Sequence, residues 1–355
     1  MRWSRSRAWL ALAMLIAPLV GCGSVETRDR STPPLVYPAP PAPARFELEP
    51  PIVALEIPAG FFGRIGRAIL GTPHALRLDR PTGLDWTDGG ELAFVDQGVN
   101  RVYVCSIEGR ISRELDLGAA GIEEAVDVVA TLDGALFVSD PRRGRVVRFA
   151  AGSDGTDARD VEAFATGGRP TSLALSSDGA AILIVDTTTP AILSLDLATG
   201  RIDERAPAVA ARAALNRPVW ITASAAGGAW IVDALNFRVC HLAADGEWTG
   251  CFGQLGDGPG SFARPRGIAI DEGGRVYVVD GLFGNCQVFD PRGRLLLAFG
   301  AAGSGYGEMV LPSDIAIDGD RIAITDSYNR RIQIFRRLPP PAGERSEARR
   351  EESMP

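Results

Sequence analysis

The chain has 355 residues, a formal net charge of −7, 41 glycines and 25 prolines. A hydrophobic fraction of 46% is ordinary for a globular protein and excludes a protein with many membrane spans. The negative charge disfavours a nucleic-acid partner, because phosphate binding needs a concentrated basic surface. The only two histidines, His74 and His241, exclude any site built on three imidazoles. Frequent glycine and proline indicate many turns and short strands.

The N-terminus, residues 1–22, has the pattern of a secretory signal. Three arginines precede an apolar run that ends at Val20, and this run is too short to cross a bilayer as a mature helix. The following Gly21-Cys22 completes a stretch that resembles the lipobox of bacterial lipoproteins. That resemblance implies lipidation of Cys22 and a membrane-anchored protein of the bacterial cell envelope. Gly23 follows Cys22 in place of a retention-type aspartate, which favours the outer membrane, facing the periplasm or the exterior.

Two segments of the chain are predicted to be disordered. Residues 23–48 are rich in closely spaced prolines, which favour an extended polyproline spacer, and we expect a tether here. Residues 339–355 carry a dense run of charges, which is typical of a solvated tail.

The middle of the chain, residues 49–338, is repetitive. Apolar runs that end in aspartate recur at intervals of 44, 46, 47, 47 and 46 residues, at Asp96, Asp140, Asp186, Asp233, Asp280 and Asp326. Three further apolar stretches accompany each run, and Asp-Gly or Gly-Gly turns separate them. Four short alternating strands in each period of about 45 residues are typical of a propeller blade. The sequence therefore predicts an all-β fold, a six-bladed β-propeller.

The copies resemble NHL repeats. That pattern has a leading proline, an apolar strand, an Asp-Gly turn, and a second strand that ends in Asp before an Asn/Arg corner. Residues 265–280 and 312–330 match it best. Blade two has Ala125 in place of the proline, and blade three has a run of threonines at the corner. The copies begin at Pro81, Glu124, Pro170, Pro218, Pro265 and Pro312.

The sixth copy stops after its third strand, near Phe335. An unpaired edge strand is an aggregation hazard, so a strand from elsewhere must cover it. The alternating segment Ile52–Ile57 precedes the first full copy. We expect this segment to complete the last blade and close the ring.

Candidate ligand residues lie two positions after each leading proline, where blades line the channel mouth. This set differs between blades, as a site on a repeated scaffold should. Asp127 and Asp314 flank blade one and are either a calcium pair, completed by backbone oxygens and water, or two unconnected carboxylates. Trp220 is either a stacking platform or a packed channel residue. The set is Gly83, Asp127, Ser172, Trp220, Gly267 and Asp314. The six repeated aspartates, in contrast, are interpreted as turn caps.

Arginine precedes the leading proline in four of the six blades, at Arg80, Arg169, Arg217 and Arg264, and Arg266 adds a fifth charge. The guanidinium fork suits carboxylate or phosphate, so a basic face would steer an anionic ligand to the channel mouth. The other interpretation is that each arginine pairs with a neighbouring acid.

The cysteines show no CxxC spacing, which disfavours haem attachment and zinc ribbons. Cys240 and Cys251 lie on two strands of one hairpin, where a tight turn would place them opposite each other. The sequence makes a disulfide possible here, and a bulged turn would instead shift the two residues by one. Cys105 and Cys286 are expected to be small core residues.

Two functions follow from these observations. The sequence favours a non-catalytic propeller that binds an envelope protein, a peptide or an anionic polymer. The alternative is a calcium-dependent hydrolase or lactonase at the channel mouth, which resemblance to gluconolactonase-like propellers keeps open. NHL-type lyases use several histidines at a zinc site, which this chain lacks. No catalytic residues are assigned, and no cofactor other than calcium is expected.

Overall fold

A computed structural model describes residues 34–39, 42–57, 75–188, 191–207 and 214–339. The predicted signal with Cys22, half of the predicted tether and nearly all of the predicted tail lie outside these ranges. In the part that the structure describes, no helix has the length and apolar character needed to cross a membrane.

Six antiparallel sheets form the blades of a β-propeller, which confirms the predicted fold. Each second strand ends at the aspartate that the repeat predicted. Blade one contains Pro81–Trp86, Leu92–Asp96, Arg101–Cys105 and Ile111–Asp116. Blade two contains Val128–Ala130, Leu136–Asp140, Arg145–Phe149 and Val161–Ala165. Blade three contains Pro170–Leu175, Ala181–Asp186, Ala191–Asp196 and Ile202–Pro207. Blade four contains Pro218–Ala223, Ala229–Asp233, Arg238–Leu242 and Trp248–Phe252. Blade five contains Pro265–Ile270, Val276–Asp280, Asn285–Phe289 and Leu295–Phe299.

Blade six is built from both ends of the described chain. Its three C-terminal strands are Ile315–Asp318, Arg321–Asp326 and Arg331–Arg337. Phe46–Ile52 pairs antiparallel with the last of these, with Leu48 opposite Phe335. Phe46, Leu48 and Ile52 are buried in the blade, so the N-terminal strand closes the ring through its apolar side.

The prediction that Ile52–Ile57 closes the ring was wrong. Only Ile52 of the predicted Ile52–Ile57 belongs to the closing strand, and Ala54–Glu56 pairs instead with Ala75–Arg77 in a separate two-stranded sheet. The closing strand contains Pro50 and Pro51, which donate no hydrogen bond. A register shift between Glu49 and Ile52 accommodates both prolines.

The predicted boundary between tether and propeller at residues 48 and 49 also needs correction. The closing strand starts at Phe46, and Val36–Tyr37 pairs with Phe46 and Glu47 as a fifth strand. Leu35 and Tyr37 pack against the core shared by blades five and six. Part of the proline-rich segment therefore lies on the propeller.

The propeller has two faces, which we name by the turns they carry. The upper face carries the leading prolines and the turns between second and third strands. The lower face carries the turns between first and second strands, where the innermost strands end. Short two-stranded sheets and 3-10 turns complete the structure: Ala301–Ala302 with Glu308–Met309, and Ala158–Asp160, Ala234–Asn236 and Ser327–Asn329.

The predicted turn caps are present at three of the repeated aspartates, Asp96, Asp186 and Asp280. The Asp280 carboxylate accepts backbone N–H groups from the following turn, at Leu282 and Phe283, and also from Ala263 and Arg264 before the leading proline. Asp96 acts in the same way in blade one. These two carboxylates therefore join the two kinds of connection that make up the upper face. Asp233 and Asp326 make no cap hydrogen bond to the following turn, and the Asp140 carboxylate pairs with Arg145 instead.

Candidate functional site

One residue of each blade, two positions after the leading proline or after Ala125 in blade two, belongs to a layer across the channel, here called the inner layer. Four of these residues carry side chains, and these are buried: Asp127, Ser172, Trp220 and Asp314. The layer belongs to the innermost strands, so each member faces the neighbouring blades as well as the channel.

Two carboxylates of the inner layer join neighbouring blades. Asp314 of blade six accepts the N–H of Leu84 in blade one at 2.9 Å and the N–H of Ile315 in its own strand at 2.8 Å. Asp127 of blade two likewise accepts the N–H of Leu173 in blade three at 2.8 Å. The other carboxylate oxygen of Asp127 accepts the N–H of the next residue, Val128. Both side chains satisfy backbone donors that would otherwise be buried without partners.

The glycines of the inner layer serve the same contacts between blades. Gly267 donates its N–H to Ser313 of blade six at 3.0 Å, and Gly83 donates to Val126 of blade two. A Cβ atom added at Gly267 would lie 2.5 Å from the Cα of Asp314, and one at Gly83 would meet Asp127. Glycine therefore lets the aspartate-bearing strand of the next blade approach closely.

Trp220 closes the channel rather than presenting a free stacking surface. Its side chain is 4% exposed, and it shares a hydrophobic cluster with Val126 of blade two. Its indole N–H comes near enough to Asp314 to lower the pKa of that carboxyl, yet it has no hydrogen-bond acceptor among the described residues. Of the two interpretations from sequence, the packed channel residue matches the structure.

Burial raises the pKa of three carboxyl groups around the channel. It raises the pKa of Asp127 to about 7. The pKa of Asp314 lies well above its ordinary value, first through burial and then through the charge of Asp127. Asp85 lies two residues after Gly83 on the innermost strand of blade one, and burial raises its pKa to about 7 as well. Its oxygens accept the N–H groups of Trp86 and Ala130.

The candidate calcium ligands do not form a calcium site in this arrangement. Asp127 and Asp314 share the channel, but two carboxylates have only four oxygen atoms, and each of these already accepts one backbone N–H group. Within the described ranges, no three His, Cys, Asp or Glu side chains converge in a way that suits a metal ion. The residues present therefore do not fit the six to eight oxygen ligands that calcium takes.

A cavity of about 400 Å³ extends from the inner layer to the lower face. Its inner end is lined by Asp127, Ser172, Trp220 and Asp314, and its mouth by the turns between first and second strands. The sequence placed the ligand site at the opposite end, near the leading prolines. The inner layer fills the channel there, so the open volume lies below it.

The raised pKa values predict how stability depends on pH. Because the folded protein holds protons on Asp85 and Asp127 up to about pH 7 and the unfolded chain releases them near pH 4, the folded state binds more protons between these values. The free energy of unfolding should therefore fall as pH rises from 5 to 8, by about 2 kcal/mol or more. Denaturant unfolding at several pH values measures this slope.

Asp85→Asn should reduce that slope, whereas Asp88→Asn, on an exposed turn, should leave it unchanged. The comparison uses slopes because an amide at position 85 accepts only one of the two N–H groups and lowers stability at every pH. A wild-type protein that gains stability from pH 5 to 8 would contradict the assignment.

The predicted basic face exists, and its charges are unpaired. Arg80, Arg169, Arg217 and Arg264 are exposed on the upper face, and Arg266 is half-buried beside the channel. Among the described residues, none of these five guanidinium groups has an acidic partner or a hydrogen bond. The alternative interpretation, in which each arginine pairs with a nearby acid, does not match the structure.

Three of these arginines form a cluster, here called the arginine cluster: Arg217, Arg264 and Arg266. Burial lowers the pKa of Arg266, and the positive charges of Arg264 and Arg217 lower it further. Arg80 and Arg169, on blades one and three, do not contribute to the lowered pKa of Arg266. The structure therefore concentrates like charge above blades four and five, where a bound anion would relieve the repulsion.

Cys240 and Cys251 form a disulfide between the outer strands of blade four, where they are directly opposite each other. A register shift next to His241 leaves this pair aligned. Cys105 and Cys286 are free and buried. Of the remaining candidate residues, Cys22 lies outside the described residues.

Sequence reasoning missed Asp85 and Trp86, which line the cavity. A signal was present, because the other blades carry no charge at the position that matches Asp85; the matching residues are Val129, Ala174, Thr222, Ala269 and Ala316. A charged residue at an otherwise uncharged position of a buried strand indicates a specific local role.

The NHL repeat model matches residues 262–289 and 310–335, in blades five and six. The chain is a six-bladed β-propeller that carries NHL repeats in blades five and six. No curated protein matches its sequence. Solved structures share the fold of this NHL propeller at low identity. Virginiamycin B lyase from Staphylococcus aureus is 16% identical, with a TM-score of 0.55, over 74% of this chain and 96% of that one.

Two further propellers show the range of proteins with this fold. An auxiliary nutrient binding protein from Bacteroides ovatus is 16% identical, with a TM-score of 0.58, over 74% of this chain and 70% of that one. A putative gluconolactonase is 16% identical, with a TM-score of 0.55, over 73% of this chain and 89% of that one. At such identity the likeness concerns the fold of the NHL propeller alone.

Proposed function

We propose that this NHL propeller is a non-catalytic binding module whose upper face holds an acidic segment of a protein or peptide. The observation that carries the proposal is the arginine cluster without acidic partners. Elsewhere the same blades pair their arginines: Arg238 meets Asp233 at 2.9 Å and Arg275 meets Asp271 at 2.7 Å. Unpaired guanidinium groups at one place are therefore available to a ligand.

Exposed apolar residues surround the arginine cluster and favour a polypeptide over a simple anion. Leu235, Leu282 and Tyr328 are 50%, 62% and 64% exposed, and they lie on the turns between second and third strands of blades four, five and six. Tyr328 is close enough to Arg266 to influence its pKa. Aromatic and aliphatic side chains beside arginine are typical of the centres of protein interfaces.

The envelope location is part of this proposal. The resemblance of Gly21-Cys22 to a lipobox supports a lipid anchor at Cys22, and several acyl chains hold a protein on a membrane. Auxiliary nutrient binding proteins of Bacteroides share the fold. The lipobox resemblance supports a propeller that displays its binding face outside the cytoplasm, and Gly23 in place of a retention-type aspartate favours the outer membrane.

The test removes the arginine cluster and measures binding of a defined acidic peptide. Arg217→Ala/Arg264→Ala/Arg266→Ala should weaken binding of a fluorescent peptide of alternating Glu and Leu by roughly tenfold or more, because three favourable charge contacts are lost. Wild-type affinity should fall as salt rises and the variant should lose most of this dependence. Fluorescence anisotropy in a salt series measures both effects.

The matched control, Arg110→Ala/Arg201→Ala/Arg294→Ala, changes the net charge by the same amount on the opposite side of the blades. These three arginines are exposed, at 66%, 74% and 74%. The control should bind the peptide like wild type. Equal loss in both variants would show that net charge alone attracts the peptide, and the proposal would fail.

A further inference from the structure

The cavity on the lower face is independent of the arginine cluster, and its wall is chemically divided. Five carboxyl side chains line it, and no Lys, Arg or His does within the described residues: Asp85, Asp88, Asp127, Asp314 and Asp318. All five come from blades six, one and two, which are neighbours in the ring. One side of the cavity is therefore acidic.

The opposite side is apolar. Blades three, four and five contribute aliphatic side chains together with Trp220, Ser172 and Thr222, and they contribute no charged group. A volume of about 400 Å³ lies in the range of small-molecule sites. A ligand that fills this space therefore meets carboxylates on one side and hydrocarbon on the other.

A buried donor lies at the inner end of the cavity. Trp220 is 4% exposed, and its indole N–H has no acceptor among the described residues although it is near Asp314. A buried donor without a partner is unfavourable, and an oxygen atom of a ligand would provide the missing acceptor. This observation is separate from the acidic wall and also indicates a ligand.

The carboxylates are held in place but keep acceptor capacity. Each oxygen of Asp85 and of Asp314 accepts one backbone N–H, and a carboxylate oxygen has two lone pairs. The geometry thus provides fixed acceptors that point from three adjoining blades. They are too dispersed to form a metal site, because no three acidic side chains converge in the described region.

We propose that this cavity binds a small organic ammonium ion that has an aliphatic portion and a hydroxyl group, an amino alcohol. The ammonium group lies against the acidic wall of blades six, one and two. The methylene groups pack on the apolar wall of blades three, four and five, and the hydroxyl oxygen accepts the indole N–H of Trp220. A bare metal ion would leave the apolar wall and the indole without a partner.

The test is titration calorimetry of the full chain with 6-aminohexan-1-ol and with hexane-1,6-diol, its neutral counterpart. The ammonium compound should bind at least tenfold more tightly than the diol. Binding should also release protons near pH 7, since a cation favours the ionised forms of Asp85 and Asp127, and heats in buffers of different ionisation enthalpy report this release. Equal affinities, no binding of the ammonium compound, or tighter binding of Ca²⁺ would overturn the proposal.

Three variants test whether the site lies in the cavity. Thr222→Arg puts a cation into the cavity and should abolish binding, whereas Thr222→Gln, similar in reach but neutral, should retain it. Asp88→Asn/Asp318→Asn alters only the exposed mouth and should weaken binding roughly fivefold for each charge removed. If Thr222→Arg does not fold, the double variant Asp88→Asn/Asp318→Asn tests the site instead. Wild-type affinity in that double variant would refute the site. Peptide binding by the upper face should be unchanged in all of them.

Discussion

Arg331→Ala should lower the free energy of unfolding by about 3–5 kcal/mol, because it leaves the carboxylate of Asp326 buried without its cation. The two side chains meet at 2.7 Å and are 2% and 0% exposed. Arg331 also donates to the carbonyl oxygens of Gly305 and Glu308. Gly305 would lose this donor, whereas Glu308 would keep the side-chain amide of Gln333. Denaturant unfolding followed by tryptophan fluorescence measures the change.

The matched control for this prediction is Arg294→Ala, at an exposed pair. Arg294 meets Asp290 at 2.6 Å with 74% of its side chain exposed, and surface pairs of this kind contribute about 0–1 kcal/mol. The pH dependence is a second check. Burial already raises the pKa of Asp326, and loss of Arg331 should raise it further, so the destabilisation should be smaller at pH 5 than at pH 8. Similar losses in both variants would contradict a structural role for the buried pair.

This ion pair supports the blade that both ends of the described chain complete. Arg331 begins the strand that pairs with Phe46–Ile52, and Asp326 ends the strand on its other side. The same pairing of strand-ending aspartate with the first residue of the third strand recurs in blades two and four, as Asp140 with Arg145 and Asp233 with Arg238. In blade six the pair is more deeply buried, so its loss should affect ring closure directly.

The sequence predicted the blades because their signals are local. Apolar alternation, Asp-Gly turns and the six aspartates repeat within each copy, and these features locate strands without knowledge of the ring. The closing strand was misplaced by six residues because Pro50 and Pro51 interrupt its alternation. Only the pairing of Leu48 with Phe335, nearly the whole propeller apart in sequence, determines where the ring closes.

The sites depend on contacts that a linear pattern does not contain. Sequence reasoning placed Asp127 and Asp314 in one channel, where the charge of Asp127 raises the pKa of Asp314. It could not show that their oxygens accept N–H groups from adjoining blades. Likewise, the repeat put arginines on one face, but only the structure shows which of them lack partners.

The inner layer separates two surfaces of opposite charge. Above it, Arg217, Arg264 and Arg266 repel one another, and below it a carboxyl-lined cavity opens to the lower face. Trp220 fills the channel between them, so a ligand on one side has no direct path to the other. The propeller can thus present two independent binding sites on one rigid scaffold.

Gly267→Ala should destabilise the protein by about 1–3 kcal/mol or more and disturb both surfaces together. The added methyl group would lie 2.5 Å from the Cα of Asp314, and backbone cannot move aside as a flexible side chain can. Blades five and six would have to separate, which shifts Arg266 on one side and Asp314 on the other. Thermal unfolding and binding by each site measure these effects.

The control is Gly250→Ala in the outer strand of blade four, where an added Cβ meets nothing within 4 Å. This change should stay within about 0.5 kcal/mol of wild type, since it alters only an open surface. If Gly267→Ala changed the free energy of unfolding as little as Gly250→Ala does, the close approach of blades five and six would be dispensable. The inner layer would then not hold the ring at this junction, and the positions of Arg266 and Asp314 would need another cause.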